Sequence, residues 1–272
     1  MNDRKQAWIF IILVLAVSWG FESFIILNGG VRHFGPLWIV ALMCIPGLLS
    51  LALRLVSKSG FRDVGFRVGR KRYYFYAIAI PLLLASLAGV LSTAFGIRSF
   101  SPIAPGALTQ IAPVLLTVLG LGVLGAFGEE LGWRGFLLPK MMSGGFRRPY
   151  LSCGAVWASW HLPLIAFGDF YQTDQPLLMA LVYGFGIIAM SFVFSELRAC
   201  SGSVWIATIV HAAHNFFFQF AFPVLLLTVA GPHSGLWDIL VGDTGLCIAV
   251  LYLATYLVLR LSAKERKGDG GN

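Results

Sequence analysis

Gly128-Glu129-Glu130-Leu131-Gly132-Trp133-Arg134 closes an apolar run that begins near Ile111. In a soluble protein, two adjacent carboxylates and a guanidinium in that position would be an exposed helix end. What surrounds them decides otherwise. Of the 272 residues, 58% are hydrophobic and 12% are charged, and the mean hydropathy is +0.81. Globular domains carry about 25% charged residues, and a core built from a chain of this length cannot absorb the apolar excess. The bilayer must take it up, so the chain reads as all-α, a polytopic bundle of transmembrane helices. Ionisable groups inside a bilayer are costly and usually mark function, which makes the quoted stretch a candidate site.

A spanning helix needs roughly 20 apolar residues. Eight segments qualify: 7–27, 36–56, 74–96, 110–133, 150–168, 177–196, 202–222 and 237–260. Pro163 inside the fifth, and Asp238 and Asp243 at the start of the eighth, blur their ends. Pro36, Pro149, Pro176 and Pro232 sit at or before segment starts, where proline is tolerated. The N-terminus, Met1–Lys5 followed by Ala7–Val17, resembles a signal peptide. Its apolar run continues to Leu27, broken only by Glu22, so a retained first helix is expected. With no internal repeat or separate soluble part, residues 1–272 read as one membrane domain.

The net charge of +8 invites a nucleic-acid reading, but the basic residues form no binding face and sit in loops between apolar runs. With the N-terminus in the cytoplasm, 17 of the 20 Lys and Arg fall on the cytoplasmic side: Arg4, Lys5, Arg54, Lys58, Arg62, Arg67, Arg70, Lys71, Arg72, Lys140, Arg147, Arg148, Arg198, Arg260, Lys264, Arg266 and Lys267. Arg32 and Arg98 fall outside, and Arg134 belongs to the opening stretch. A miscounted helix would scatter this pattern, so both termini are expected in the cytoplasm of a multi-pass cell-membrane protein. The basic stretch Ser57–Tyr73 reads as an amphipathic segment on anionic lipid, and the tail from Lys264 as a solvated, disordered end. Cys44, Cys153, Cys200 and Cys247 have no metal or redox spacing and read as small apolar residues.

The topology assigns depths at 1.5 Å per helical residue. Glu129 lies ~15 Å from the cytoplasmic end of its segment, His161 ~16 Å, His211 ~14 Å and Asn215 ~20 Å. Three helices therefore deliver a carboxylate, two imidazoles and an amide to one level. Glu130 and Arg134 are i,i+4, as an ion pair requires, while Glu129 is rotated about 100° from Glu130. His211 and Asn215 are also i,i+4, and His214 could join them. Trp157 lies one turn from His161 and should pack against that side.

These residues suit water activation. An enclosed carboxylate serves as a general base, and a histidine can orient the same water. A second histidine and an amide can donate to a developing oxyanion. Ser152, Cys153 and Ser159 lie near, without a clear His-plus-acid arrangement. A metal is the rival reading, because Glu129, His161 and His211 are competent zinc ligands. However, the His-Glu-x-x-His signature is absent, and His211-Ala-Ala-His214 has the wrong spacing for it. Taken singly, each residue also has a structural role: Glu130–Arg134 as an ion pair, either histidine as an interhelical hydrogen bond, Asn215 as packing.

Taken together, Glu129-Glu130-x-x-x-Arg134, Trp157-x-x-x-His161 and His211-x-x-x-Asn215 resemble the three ordered motifs of the CaaX protease and bacteriocin-processing family of intramembrane endopeptidases. Leu197–His211, through Ser201-Gly202-Ser203-Val204-Trp205, is similar to that family's approach to its third motif. The resemblance covers about 110–220, the expected catalytic core, and departs at Trp157, where the family more often has phenylalanine. It implies Glu129 as the base, His161 as its assistant, and His211 with Asn215 as the oxyanion pair. It implies Glu130 and Arg134 as supports and a glutamate-dependent reaction without a cofactor, in a family first regarded as metal-dependent. The implied partner is a membrane-associated peptide or protein, lipid-modified or not. A non-catalytic membrane protein for binding, immunity or transport is the alternative, although the repeated halves common in transporters are missing. Oligomeric state has no signature in the sequence.

Overall fold

The computed structural model describes residues 1–101, 106–171, 173–227 and 229–268. Its helices are α1 (Asp3–Leu27), α2 (Pro36–Ser57), α3 (Arg72–Ala94), α4 (Ala107–Gly132), α5 (Leu138–Ser143), α6 (Pro149–Phe167), α7 (Pro176–Ser201), α8 (Val204–Asn215) and α9 (Leu246–Gly268). π-helical turns at Trp133–Leu137, Phe216–Leu226 and Trp237–Val241 join or extend them. The strands described are β1 (Arg98–Ser99) and β2 (Val229–Ala230), a two-residue antiparallel clasp. The protein is a polytopic all-α integral membrane bundle. Seven described helical stretches are long and apolar enough to cross a membrane.

Local chemistry sets the ends. The Asn2 side chain caps α1 by accepting from Lys5 N at 2.9 Å. Pro36, Pro149 and Pro176 open α2, α6 and α7, where no intrahelical donor is needed. Gly202 closes α7 at φ +73, and the Arg67 guanidinium packs where a side chain would go.

Several expected boundaries move. The fourth segment does not stop at 133: α4, a π turn and α5 run on from Ala107 to Ser143, with Pro139 accommodated at the start of α5. The fifth segment is present as α6, continuous through Pro163, but is not among the seven apolar stretches. Its tryptophans, serines and histidine dilute its hydropathy, which bundle contacts on both sides tolerate. The eighth begins as short turns and becomes regular only at Leu246, after a break around Asp243. Residues 264–268 continue α9 instead of fraying; 269–272 lie outside the described residues.

Apolar side chains divide between core and periphery. Trp133, Trp157, Trp160, Phe194 and Tyr252 are buried where α6, α7 and α8 meet, and α7 is the most enclosed spanning helix. Leu55, Phe75, Leu83 and Leu116 are 66–72% exposed, an arrangement that only lipid makes favourable. α2 and α4 approach backbone to backbone: a Cβ on Gly47 would sit 2.6 Å from the Gly128 carbonyl, and one on Gly132 would collide with Pro46. Small residues four apart are how membrane helices come this close, and this contact sets the position of Glu129 and Glu130.

One end of the bundle gathers the basic residues. Lys140 Nζ reaches Asp3 at 2.8 Å and Asp63 at 3.2 Å, Arg54 Nη1 reaches Asp63 at 2.6 Å, and Arg260 reaches Glu196 at 3.2 Å. The start of α1 and the ends of α2, α7 and α9 therefore share one face with α5. The segment between α2 and α3 forms turns, not a regular amphipathic element. Its Val64 is buried, Val204 N donates to Gly65 O at 3.0 Å, and Arg198 Nη2 donates to the carbonyls of Asp63 and Val64. Arg32, paired with Asp169 at 3.3 Å, and Arg98 within the β clasp lie at the other end.

Candidate active site

Glu129, His161, His211 and Asn215 line one cavity of about 90 Å³. α4 supplies the first, α6 the second and α8 the last two, so the level inferred from residue counts is one place in the fold. Glu129 is 2% exposed, and its Oε2 accepts from Trp157 Nε1 at 2.6 Å and Trp133 Nε1 at 3.2 Å. Two indoles on one oxygen lock the carboxylate plane and leave Oε1 uncommitted.

Glu130 points elsewhere, as the 100° rotation requires. Its Oε1 accepts from Arg134 Nη1 at 2.8 Å and His211 Nδ1 at 2.9 Å. The Arg134 guanidinium stacks over Trp157, 4.3 Å from the ring centroid. A carboxylate paired with an arginine can only accept, so His211 carries its proton on Nδ1 and has Nε2 left for the cavity. His161 is held in the same sense: Nδ1 donates to the Trp157 carbonyl at 2.9 Å, leaving Nε2 as an acceptor. Fixed tautomers and orientations are what a proton-handling site needs.

Trp157 does more than pack. Besides its bond to Glu129, it stands 5.9 Å from the His161 ring and 5.3 Å from the His211 ring. His214 lines the cavity, with Nδ1 2.8 Å from the Tyr252 hydroxyl. Ser152, Cys153 and Ser159 do not line it, and Cys153 Sγ faces the Trp133 carbonyl. Glu22 is fully buried against α6 beside Leu164, outside the cavity. Among the described residues no three His, Cys, Asp or Glu side chains are grouped to hold a metal ion. Glu129, His161 and His211 each have one side-chain atom tied to a protein partner, an arrangement that by itself fits a metal ligand as well as a proton carrier.

Two features had no reading in the sequence. Trp133 lies one helical turn beyond Glu129, and that spacing could have revealed its hydrogen bond. Asp243, a blemish in the eighth segment, lines the same cavity and accepts from Gln219 Nε2 at 3.0 Å and Tyr171 Oη at 3.2 Å. Burial, then the charge of Asp243, pushes the Tyr171 phenol well above its usual range, so it stays a donor. Nothing local marks Asp243; only the break before α9 brings it there.

A larger apolar groove of about 880 Å³ adjoins the cavity and runs between α2, α4 and α8. Ile39, Met43, Asn215 and Gln219 line both spaces, so Asn215 stands where apolar groove meets polar cavity.

Apolar helices thus enclose a hydrogen-bonded Glu, two oriented histidines and an amide in one cavity. Residues 111–217 match the family model described as type II CAAX prenyl endopeptidase, Rce1-like. Over 91 residues the chain is 31% identical to CAAX prenyl protease 2 of Methanococcus maripaludis, a stretch covering 32% of this chain and 32% of that protein. The segment holding Glu129, Glu130, Arg134, His161, His211 and Asn215 is therefore similar to the Rce1-like CAAX prenyl endopeptidases, and the match spans about a third of the curated relative's length.

Proposed function

We propose that this protein is an endopeptidase of the cell membrane that hydrolyses a peptide bond in a membrane-associated peptide or protein, with water activated by Glu129. The observation that carries this reading is the convergence of Glu129 Oε1, His161, His211 and Asn215 on one cavity. Such a cavity has room for a water beside the scissile carbonyl. Oε1 takes one proton from the water, whose remaining O–H donates a hydrogen bond to His161 Nε2. The water oxygen bonds to the carbonyl carbon, and the oxyanion is met by His211 Nε2–H and the Asn215 amide. That donation requires a proton on each ring nitrogen, with Nδ1–H on Glu130 and Nε2–H in the cavity. Collapse of the intermediate breaks the C–N bond, and Glu129 returns its proton to the leaving amine.

The adjoining apolar groove supports a substrate that arrives from lipid with an apolar or lipid-modified flank. A purified preparation in detergent, given a quenched fluorescent peptide with a lipidated cysteine, tests the reading. Glu129→Gln and His211→Ala are expected to lower kcat by about 10²–10⁴-fold. Wild-type rates in both would overturn the mechanism. A strong chelator is expected to leave the rate unchanged; loss restored by zinc would select the metal-dependent version instead.

A further inference from the structure

A second cavity, of about 330 Å³, opens on the basic end of the bundle beside the Glu130–Arg134 pair. Arg62, Arg67, Arg134 and Arg198 line it, with Asp63. None of its lining residues lines the Glu129 cavity. Four guanidiniums thus face one carboxylate, and that carboxylate already holds Arg54 and Lys140. Arg67 and Arg198 use some donors on the carbonyls of Gly202, Asp63 and Val64. Others have no partner: Nε and Nη2 of Arg134, which is fully buried, and Nε of Arg198. Buried charged donors left unsatisfied are expensive. A concentration of them around one opening calls for an anion with several acceptor oxygens, which guanidiniums meet in paired bonds.

The surroundings say where that anion comes from. Phe61, Phe66 and Val68 are 44–60% exposed on the segment between α2 and α3, interleaved with Arg62, Arg67, Arg70 and Lys71, and Met142 is exposed on α5 beside the cavity. Apolar side chains alternating with basic ones form a surface that lies on anionic lipid. We propose that this cavity binds the phosphate headgroup of an anionic phospholipid. Through Arg134 the headgroup holds Glu130, and through Glu130 the His211 ring, so lipid composition sets the activity of the site. That last link rests on the protease reading; the binding site does not.

The test uses purified full-length protein in nanodiscs of dioleoylphosphatidylcholine, with zero or 30 mol% dioleoylphosphatidylglycerol (about one lipid in three, enough to surround a bundle with anionic headgroups). Wild type is compared with R62Q and R198Q. Phosphatidylglycerol is expected to raise the wild-type Tm by several degrees and each variant's by much less, with bound phosphatidylglycerol counted by native mass spectrometry falling in parallel. R62Q removes an exposed side chain and keeps the test valid should R198Q fold poorly. An equal Tm response in wild type and R62Q overturns the site. Full protection of detergent-solubilised protein by inorganic phosphate overturns the lipid as its source. Displacement of lipid by a peptide with a free C-terminus, but not by its amidated form, overturns it in favour of a substrate-tail site. Hydrolysis of the lipidated peptide is expected to rise with phosphatidylglycerol in wild type only. Absence of hydrolysis in every sample would count against the protease reading, while the Tm and mass readouts would still decide the binding site.

Discussion

Glu129 and Glu130 are neighbours in sequence and do different work because one helical step sends them to different partners. The first meets indoles, the second meets Arg134 and His211. Hydrogen bonds to a charged group contribute about 1.5–3 kcal/mol. Trp157→Phe keeps the ring against both histidines but removes the 2.6 Å donor to Oε2, so kcat should fall about tenfold or more with KM little changed. Trp133→Phe, which removes the 3.2 Å donor, should cost less. Steady-state kinetics on both variants checks the order, and a larger loss in Trp133→Phe would refute this account of how Glu129 is held. The i,i+4 spacings made the Glu130–Arg134 pair and the packing of Trp157 beside His161 readable in advance, but not the indole bond to Glu129. The tautomers of His161 and His211 were not, because their partners come from a backbone carbonyl and another helix.

At the level of helices, two features place the site. The first is the close approach of α2 and α4 through Gly47, Gly128 and Gly132. Gly132→Ala puts a methyl into Pro46 with no flexible neighbour to yield, and overpacking of this kind costs roughly 1–3 kcal/mol. A Tm several degrees lower, measured in detergent by fluorescence, is the expected result; an unchanged Tm would mean the helices can separate freely. The second is a change of hydrogen-bond register at the end of the first motif, Trp133–Leu137, and just after the third, Phe216–Leu226. π turns recur at functional sites because they re-aim side chains at a cost in stability. No hydrophobic period announces a π turn, which is why segment four was expected to end at 133.

For the whole molecule, the asymmetry of charge is the strongest organiser. Ion pairs involve five helices, α1, α2, α5, α7 and α9, on one face, and the arginines outside that pattern, Arg32 and Arg98, lie on the other. If the basic face is cytoplasmic, a cysteine replacing Ser59 in a cysteine-free background should react with an impermeant maleimide only in inverted vesicles, and one replacing Ser234 only in right-side-out vesicles. The reverse pattern would overturn the orientation. Asp63 offers a pH test of the same face. Burial acts to raise its pKa, but the Arg54 hydrogen bond and the charges of Arg54 and Lys140 outweigh it, and the net position is below the ordinary 3.8. Its contribution is thus complete above that value and lost as pH falls through the lower folded value. Asp63→Asn should lower Tm by a few degrees at neutral pH, and its Tm should fall less than that of wild type on acidification below pH ~4. Parallel curves would show that the carboxylate does not carry the clamp.

The sequence by itself determined the class of fold, since 58% hydrophobic residues with so few charges leave only a lipid-embedded helical bundle. Helical rise and loop charges also brought Glu129, His161, His211 and Asn215 to one depth, because both quantities are counted along the chain. Tertiary structure decided the rest. The indole pair on Glu129, the sharing of Glu130 between Arg134 and His211, the entry of Asp243 into the cavity and the gathering of three arginines beside Arg134's free edge all depend on helix rotation and on breaks in regular structure. Rotation is settled by contacts such as Gly132 against Pro46, between residues far apart in the chain. A period read along one segment contains no information about them.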